Sequence, residues 1–430
     1  MSEARVGRIL LVGDELLGGT ISDRNVRMIT TALANAGVVI DRVEFTRDDR
    51  AVIAQAIRRL AEGADVLVVT GGLGPTSDDV TRDGVADCLG VPLVEDAAAL
   101  ERLAALMAAR GLGAPSENVK RQAQFPRGAS IVANPVGSAA GFRVRVGGCD
   151  LWSLPGVPME ASAMIDAVAR AVGRPDVSWE RTIATAGIGE VRVAERLEEG
   201  GFRAPPGARL AFLPGPGGVR VRVFAPGGLD AEVLDAAESE VRTLLGDWAL
   251  PGRSIEESVV AAARARNRWL ATAESCTGGL IGARITDVPG SSSVYLGGVV
   301  AYANEIKAGQ LGVDPARIES EGAVSAAVAE AMAVGVRERF AAAGSAGSTI
   351  AAIGPSGAVL PVLGLSVTGV AGPGGGTAEK PVGTVWIGWA DDRGAGASSF
   401  RFPGPREMVR ERTVNKALEI AYRRLVESDG

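Results

Sequence analysis

Apolar and polar positions follow two alternating periods along the first 170 residues. Arg8–Val12 is a short β-branched and aliphatic run. Asn25–Ala36 carries apolar residues at helical spacing, and Gly37 stands where a left-handed residue closes a helix. Val38–Phe45 reads as a strand and Ala51–Ala61 as a helix. Asp65–Thr70 is an almost continuous apolar strand. Strands of that kind are buried on both faces, which predicts a parallel sheet. The opening is therefore βαβαβ, and ligands are expected beyond the C-terminal ends of its strands.

The pattern changes at about residue 173. Arg181–Ala186 and Val219–Phe224 read as strands, and Glu190–Glu198 and Ala231–Leu245 as helices. Pro205, Pro206 and the Pro214–Gly218 run interrupt them. This predicts a small α+β domain without a catalytic cluster. Alternation resumes after residue 250. Ile255–Arg266 is helical and Trp269–Ala273 a strand. Leu280–Thr286 is a helix, Leu296–Tyr302, Leu365–Thr368 and Gly383–Trp389 are strands, and Glu407–Leu425 is a long terminal helix. The Ala-, Gly- and Ser-rich segment 343–364 reads as a loop insertion. The expected fold class is α/β, with a parallel-sheet domain at 1–172, a small α+β domain at 173–250 and an α/β domain at 251–430.

Composition narrows the chemistry. The chain has 430 residues, 47% hydrophobic and 22% charged, a balance that supports full cores. A net charge of −6 gives no broad nucleic-acid-binding face, so no direct nucleic acid is expected. There is no signal-peptide pattern and no apolar run long enough for a membrane span. The three cysteines, Cys88, Cys149 and Cys276, are widely spaced, which suits a reducing cytoplasm better than a disulfide framework. Histidine is absent. That removes Ser-His-Asp and Cys-His triads and leaves proton transfer to Asp, Glu, Lys, Tyr or Cys.

In the C-terminal third, Ala273-Glu274-Ser275-Cys276-Thr277-Gly278-Gly279 leaves a strand and opens a helix. Ser275 at that turn would lie near free helix N–H groups, which can stabilise an oxyanion. The same string also reads as an N-cap cluster. Three more strings accompany it: Pro289-Gly290-Ser291-Ser292-Ser293, Tyr302-Ala303-Asn304-Glu305-Ile306-Lys307 and Thr368-Gly369-Val370-Ala371-Gly372-Pro373-Gly374-Gly375-Gly376. The last is glycine-rich after a strand, so its backbone can approach a phosphate. In the N-terminal third, Gly13-Asp14-Glu15-Leu16 follows the first strand. Gly71-Gly72-Leu73-Gly74-Pro75-Thr76-Ser77-Asp78-Asp79 follows the third. Carboxylates beside phosphates call for a divalent cation between them. Acids at a helix start are equally a response to its dipole.

The C-terminal strings, with Gly322-Ala323-Val324-Ser325 and Glu379-Lys380-Pro381-Val382-Gly383-Thr384, closely resemble the CinA C-terminal family of nicotinamide mononucleotide deamidases. The resemblance implies hydrolysis of the carboxamide of nicotinamide mononucleotide, giving nicotinic acid mononucleotide and ammonia without a cofactor. Ser275 matches the family's nucleophile and Lys307 its base, with Tyr302 beside them. Gly290, Ser292, Thr368 and Gly369 match substrate-contacting positions, and Arg406 an arginine suited to phosphate. Pro405 stands where relatives often carry an acid. Cys276 is the rival nucleophile, without an imidazole to activate it.

The N-terminal strings, with Asn134-Pro135-Val136-Gly137 and Leu154-Pro155-Gly156-Val157-Pro158 plus Glu160, resemble the molybdopterin-binding-like domain of full-length CinA proteins. Gly187-Ile188-Gly189-Glu190 extends the likeness into the middle domain. It implies a metal-dependent ADP-ribose pyrophosphatase yielding AMP and ribose 5-phosphate. The implied metal and water-handling residues are Asp14, Glu15, Asp78 and Asp79, with a divalent cation such as magnesium. Gly13, Gly72, Gly74, Thr76, Asn134 and Gly156 would line the substrate. The resemblance also implies a homodimer. Alternatives are a molybdopterin-related binding protein and a non-enzymatic competence and DNA-repair adaptor with a recombinase partner.

Overall fold

The computed structural model describes residues 5–173, 178–345 and 361–427. It contains two compact units. The first holds Met1–Arg181, Ala204–Arg209 and Val223–Ala236; the second holds Thr182–Arg203, Leu210–Arg222 and Ala237–Gly430.

The first unit is built on strands β1 (Arg5–Val12), β2 (Val38–Thr46), β3 (Val66–Thr70), β4 (Leu93–Glu95), β5 (Gln124–Pro126), β6 (Ser130–Val132), β7 (Gly141–Val146) and β8 (Cys149–Leu154). Six form one sheet in the order β2-β1-β3-β8-β7-β6. The first four are parallel, as the apolar runs predict, while β7 and β6 add an antiparallel edge. β7 returns to β8 through Gly147-Gly148, with Gly147 at φ 60°, a two-residue hairpin that suits glycine.

Side-chain alternation puts a helical layer on each face. Ile9 and Leu11 of β1 join the core under helices Asn25–Asn35 and Pro158–Val172. Leu10 and Val12 point the other way, to Ile53, Ile57 and Leu60 of helix Arg50–Ala61. Those three residues recur at helical spacing, and burying each is worth about 1.5–3 kcal/mol. Asp49 starts this helix by accepting the N–H groups of Ala51 and Val52.

In the middle segment β9 (Ser178–Ala184), β10 (Arg209–Gly215) and β11 (Gly218–Leu229) form a three-stranded sheet, with helices Glu190–Glu199 and Ala231–Leu245.

The second unit carries β12 (Trp269–Glu274), β13 (Tyr295–Val300), β14 (Val362–Gly369), β15 (Thr384–Asp391) and β16 (Gly394–Arg401). Their order is β13-β12-β14-β15-β16. The first three are parallel, and β15 and β16 are antiparallel additions. Leu363, Leu365 and Val367 of β14 pack with helices Ile255–Ala265 and Arg406–Val426. Ala271 and Ala273 of β12 face helix Ala326–Ser345. The expected 343–364 insertion is helical at its start and strand from Val362; its centre, 346–360, lies outside the described residues. No described helix is long and apolar enough to cross a membrane.

Candidate active sites

In the second unit the parallel strands align their C-terminal ends. Glu274 is level with Val300 of β13 and with Val367 of β14. The Ser275 N–H donates to Val367 O at 3.0 Å, and the Ala301 N–H to Glu274 O at 2.8 Å. Ser275, Tyr302 and Thr368 thus leave neighbouring strands at one sheet edge.

The turn after Ser275 is tight, with Gly278 at φ 62° and Gly279 at φ 94°. The helix that follows does not offer its N–H groups to Ser275. The buried Glu274 carboxylate accepts from Gly279 (3.0 Å), Ile281 (3.0 Å) and Gly282 (2.9 Å). An acid at the positive end of a helix is electrostatically favoured. The expected oxyanion role of these donors is therefore corrected: they anchor the turn that carries Ser275.

Lys307 lies on helix Asn304–Leu311 and is 1% exposed. Its ammonium donates to Tyr302 O at 3.1 Å. Burial pushes its proton affinity down, while the charge at Glu305 opposes that shift. Cys276 is buried, and loss of solvation pushes its thiol up to about 12. A thiol held protonated in this way is a poor nucleophile.

Tyr302 is exposed, and its phenol oxygen accepts from Arg406 Nη2 at 3.2 Å. Arg406 Nη1 donates to Gly372 O at 2.8 Å. Pro405 is the residue before the terminal helix and provides no side-chain cap. The Thr368 hydroxyl donates to Ala323 O at 2.7 Å. Gly369 lies against β15, where a Cβ would come within 2.8 Å of Val385 Cγ2.

Gly290 and Ser292 are not part of this cluster. They precede β13, and Arg264 holds their loop through Gly290 O (2.9 Å) and Ser293 Oγ (3.3 Å). Leu270 near the start of β12 is level with Tyr295. This loop and Ser275 therefore occupy opposite edges of the sheet, roughly 17 Å apart along a six-residue strand.

In the first unit, a cavity of about 520 Å³ opens beyond β1, β3 and β8. Gly13, Glu15, Gly72, Gly74, Asp78, Asp79 and Gly156 line it. Close loop packing needs its glycines. A Cβ at Gly71 (φ 108°) would come within 2.1 Å of Val12 O, and one at Gly72 (φ 63°) within 2.3 Å of Thr81 Oγ1.

Other expected residues act from behind. Asp79 accepts from the N–H groups of Gly74 (2.7 Å) and Thr76 (2.8 Å), so it clasps its own loop. Hydrogen bonds from Thr76 and from its own backbone hold Asp78 below the usual carboxylate range. Asn134 is fully buried; its amide donates to Glu160 Oε2 (2.6 Å) and its oxygen accepts from Val136 (3.1 Å) and Gly137 (2.8 Å). Asp14 uses its backbone N–H, which donates to the Asp48 carboxylate at 2.9 Å.

Asp48 is the main residue that the sequence reading missed. It lines the cavity two residues after β2, the strand-end position that signals such residues. Burial raises its proton affinity; the Asp14 N–H opposes this, and Glu15, Asp14 and Asp78 add repulsion. Asn25, Gln122 and Glu160 also line the cavity. Asn25 donates to Thr70 Oγ1 (3.2 Å) and Gly156 O (2.7 Å). Among the described residues, no three metal-ligating side chains converge on one point. Glu15, Asp48 and Asp78 all line the cavity, and the charges of Glu15 and Asp78 act on Asp48; a donor set of this kind fits a cation bound by one or two carboxylates.

A family description of the CinA C-terminal domain matches residues 252–362 and 358–425. A probable molybdopterin binding domain matches 8–174, and the damage-inducible protein CinA KH domain matches 180–249. A CinA-like protein of Frankia casuarinae is 40% identical over 433 residues, covering 97% of this chain and 95% of that protein. One from Salinibacter ruber is 40% identical over 428 residues, covering 97% and 99%. The crystal structure of a CinA of unknown function from Thermoplasma acidophilum is 33% identical, covers 40% of this chain and 99% of its own, and has a TM-score of 0.37.

Proposed function

We propose, for a chain that belongs to the CinA family, a two-site hydrolase of nicotinamide-nucleotide by-products. The C-terminal site deamidates nicotinamide mononucleotide. Its carrying observation is a serine between two strand ends, accompanied by a buried lysine of lowered proton affinity in a chain without histidine. Lys307, as the free amine, removes the Ser275 proton while Oγ bonds to the carboxamide carbon. The proton passes to the departing nitrogen and ammonia leaves. Water then cleaves the acyl-serine ester, giving the carboxylate and restoring the hydroxyl. Arg406 takes the substrate phosphate, and Tyr302 positions both cationic residues, accepting from Arg406 through its phenol oxygen and from Lys307 Nζ through its carbonyl.

The N-terminal cavity cleaves ADP-ribose to AMP and ribose 5-phosphate. Glu15, Asp48 and Asp78 are the carboxylates suited to a divalent cation there, and Asp79 keeps the loop in place. Such a cation supplies charge neutralisation and a more acidic water. The matched molybdopterin binding domain supports a second reading, a pterin-phosphate binder.

The test is ammonia release from nicotinamide mononucleotide by Ser275→Ala and Cys276→Ala. Loss with the serine variant and retention with the cysteine variant are expected; the reverse overturns the assignment. ADP-ribose turnover should stop with chelator and survive Ser275→Ala. Tight pterin binding without ADP-ribose turnover would favour the second reading.

A further inference from the structure

Helix Arg406–Val426 starts with two arginines four residues apart, Arg406 and Arg410. That spacing puts them on one helix face, where like charges repel and destabilise the helix. The helix N-terminus is also the positive end of its dipole, which disfavours cations. Helix stability therefore does not explain the pair.

Among the described residues, neither guanidinium is paired with a carboxylate. Both are instead directed at loops of the Ser275 edge. Arg406 bonds Gly372 O and the Tyr302 hydroxyl. Arg410 Nη2 donates to Thr277 O at 2.8 Å, two residues beyond Ser275. It lies over Gly278, where a Cβ would stand 3.5 Å from Nη2. Arg410 Nε is buried without a partner. Both positive charges also act on the Cys276 thiol, next to Ser275. Arg410 thus stands at the Ser275 turn and Arg406 at the Gly372 and Tyr302 loops of the same sheet edge, and guanidinium groups without a carboxylate partner suit a doubly charged anion.

We infer that Arg410 is a second anion-binding residue, forming with Arg406 a two-arginine clamp for the phosphomonoester of the substrate processed at Ser275. The substrate's identity rests on the proposed deamidase reading; the anion site does not.

The experiment compares kcat/KM for nicotinamide mononucleotide and for nicotinamide riboside, which lacks the phosphate. In the full chain, Arg410→Gln should lower the preference for the phosphorylated substrate at least tenfold, since a charge-assisted bond is lost. Arg410→Lys, which keeps the charge but loses the fork, should lie between. If Arg410 only supports the Thr277 carbonyl, both substrates suffer equally and the ratio stays fixed; that result overturns the clamp. If the wild type turns over neither substrate, the deamidase reading fails by itself. Calorimetric titration with ribose 5-phosphate then decides: fewer or weaker sites in Arg410→Gln uphold the clamp, and identical isotherms overturn it.

Discussion

Replacing Lys307 with methionine separates catalysis from stability. Lys307 is 1% exposed and makes one hydrogen bond from its ammonium, to Tyr302 O. Methionine keeps most of the buried aliphatic volume and removes the charge. Losing a general base should lower kcat for ammonia release by about 10²–10⁴-fold. Stability should move the other way. Burial lowers the folded-state pKa of Lys307 from its ordinary 10.5. Between the two values the unfolded chain binds the proton and the folded chain does not, so wild-type stability rises with pH there, by at most ~1.4 kcal/mol per pH unit. Below the folded pKa the folded protein carries the full cost of a buried ammonium. Lys307→Met lacks that cost but leaves the Tyr302 carbonyl without its donor, worth ~1 kcal/mol. The variant should therefore gain most below the folded-state pKa of Lys307, and its advantage should shrink as pH rises toward 10.5. Urea denaturation from pH 7 to pH 10, beside an ammonia assay, measures both effects. A variant that keeps kcat within tenfold, or whose stability difference from wild type does not change with pH, refutes the reasoning.

Three other substitutions test the frame around the sites. Glu274→Gln cannot accept from three N–H groups as a carboxylate does; it should cost ~1.5–3 kcal/mol in denaturation and at least tenfold in deamidation. Asp48→Asn removes a cavity carboxylate crowded by Glu15, Asp14 and Asp78; ADP-ribose turnover should fall at least tenfold, and a magnesium titration should show weaker activation. Gly37→Ala places a Cβ 1.9 Å from Trp179 Cζ2 at φ 84°; left-handed strain and overpacking together predict roughly 2–5 kcal/mol of lost stability, read as a lower Tm.

The long periodic elements were legible. Helices Leu280–Thr286 and Ala231–Leu245 fall on the expected residues, because their apolar spacing and flanking glycines or acids agree. The antiparallel edge of the first sheet was not. β6 is only three residues long and β7 mixes charged and apolar residues, so neither stands out as an apolar run. The long helix Ala326–Ser345 also escaped notice. It is rich in alanine and buried against both β14 and β15, so it lacks the polar stripe that marks an amphipathic helix.

Site residues were legible as types rather than as roles. The Gly71–Asp79 string announces a tight acidic loop, but not that Asp79 spends both oxygens closing it while Asp48, from another strand, faces the cavity. Topology explains the other divergence. In a parallel sheet, only segments that follow strands reach the C-terminal edge. Ser275 follows β12, Tyr302 and Lys307 follow β13, and Thr368 lies at the end of β14, so all four belong to that edge. Gly290 and Ser292 precede β13 and stand at the other edge. The order of strand and motif along the chain already contains that distinction. Reading the motif as preceding its strand would have set the Gly290 loop apart from Ser275 without coordinates, whereas the Glu274 clasp of the helix start depends on side-chain reach that only the folded turn reveals.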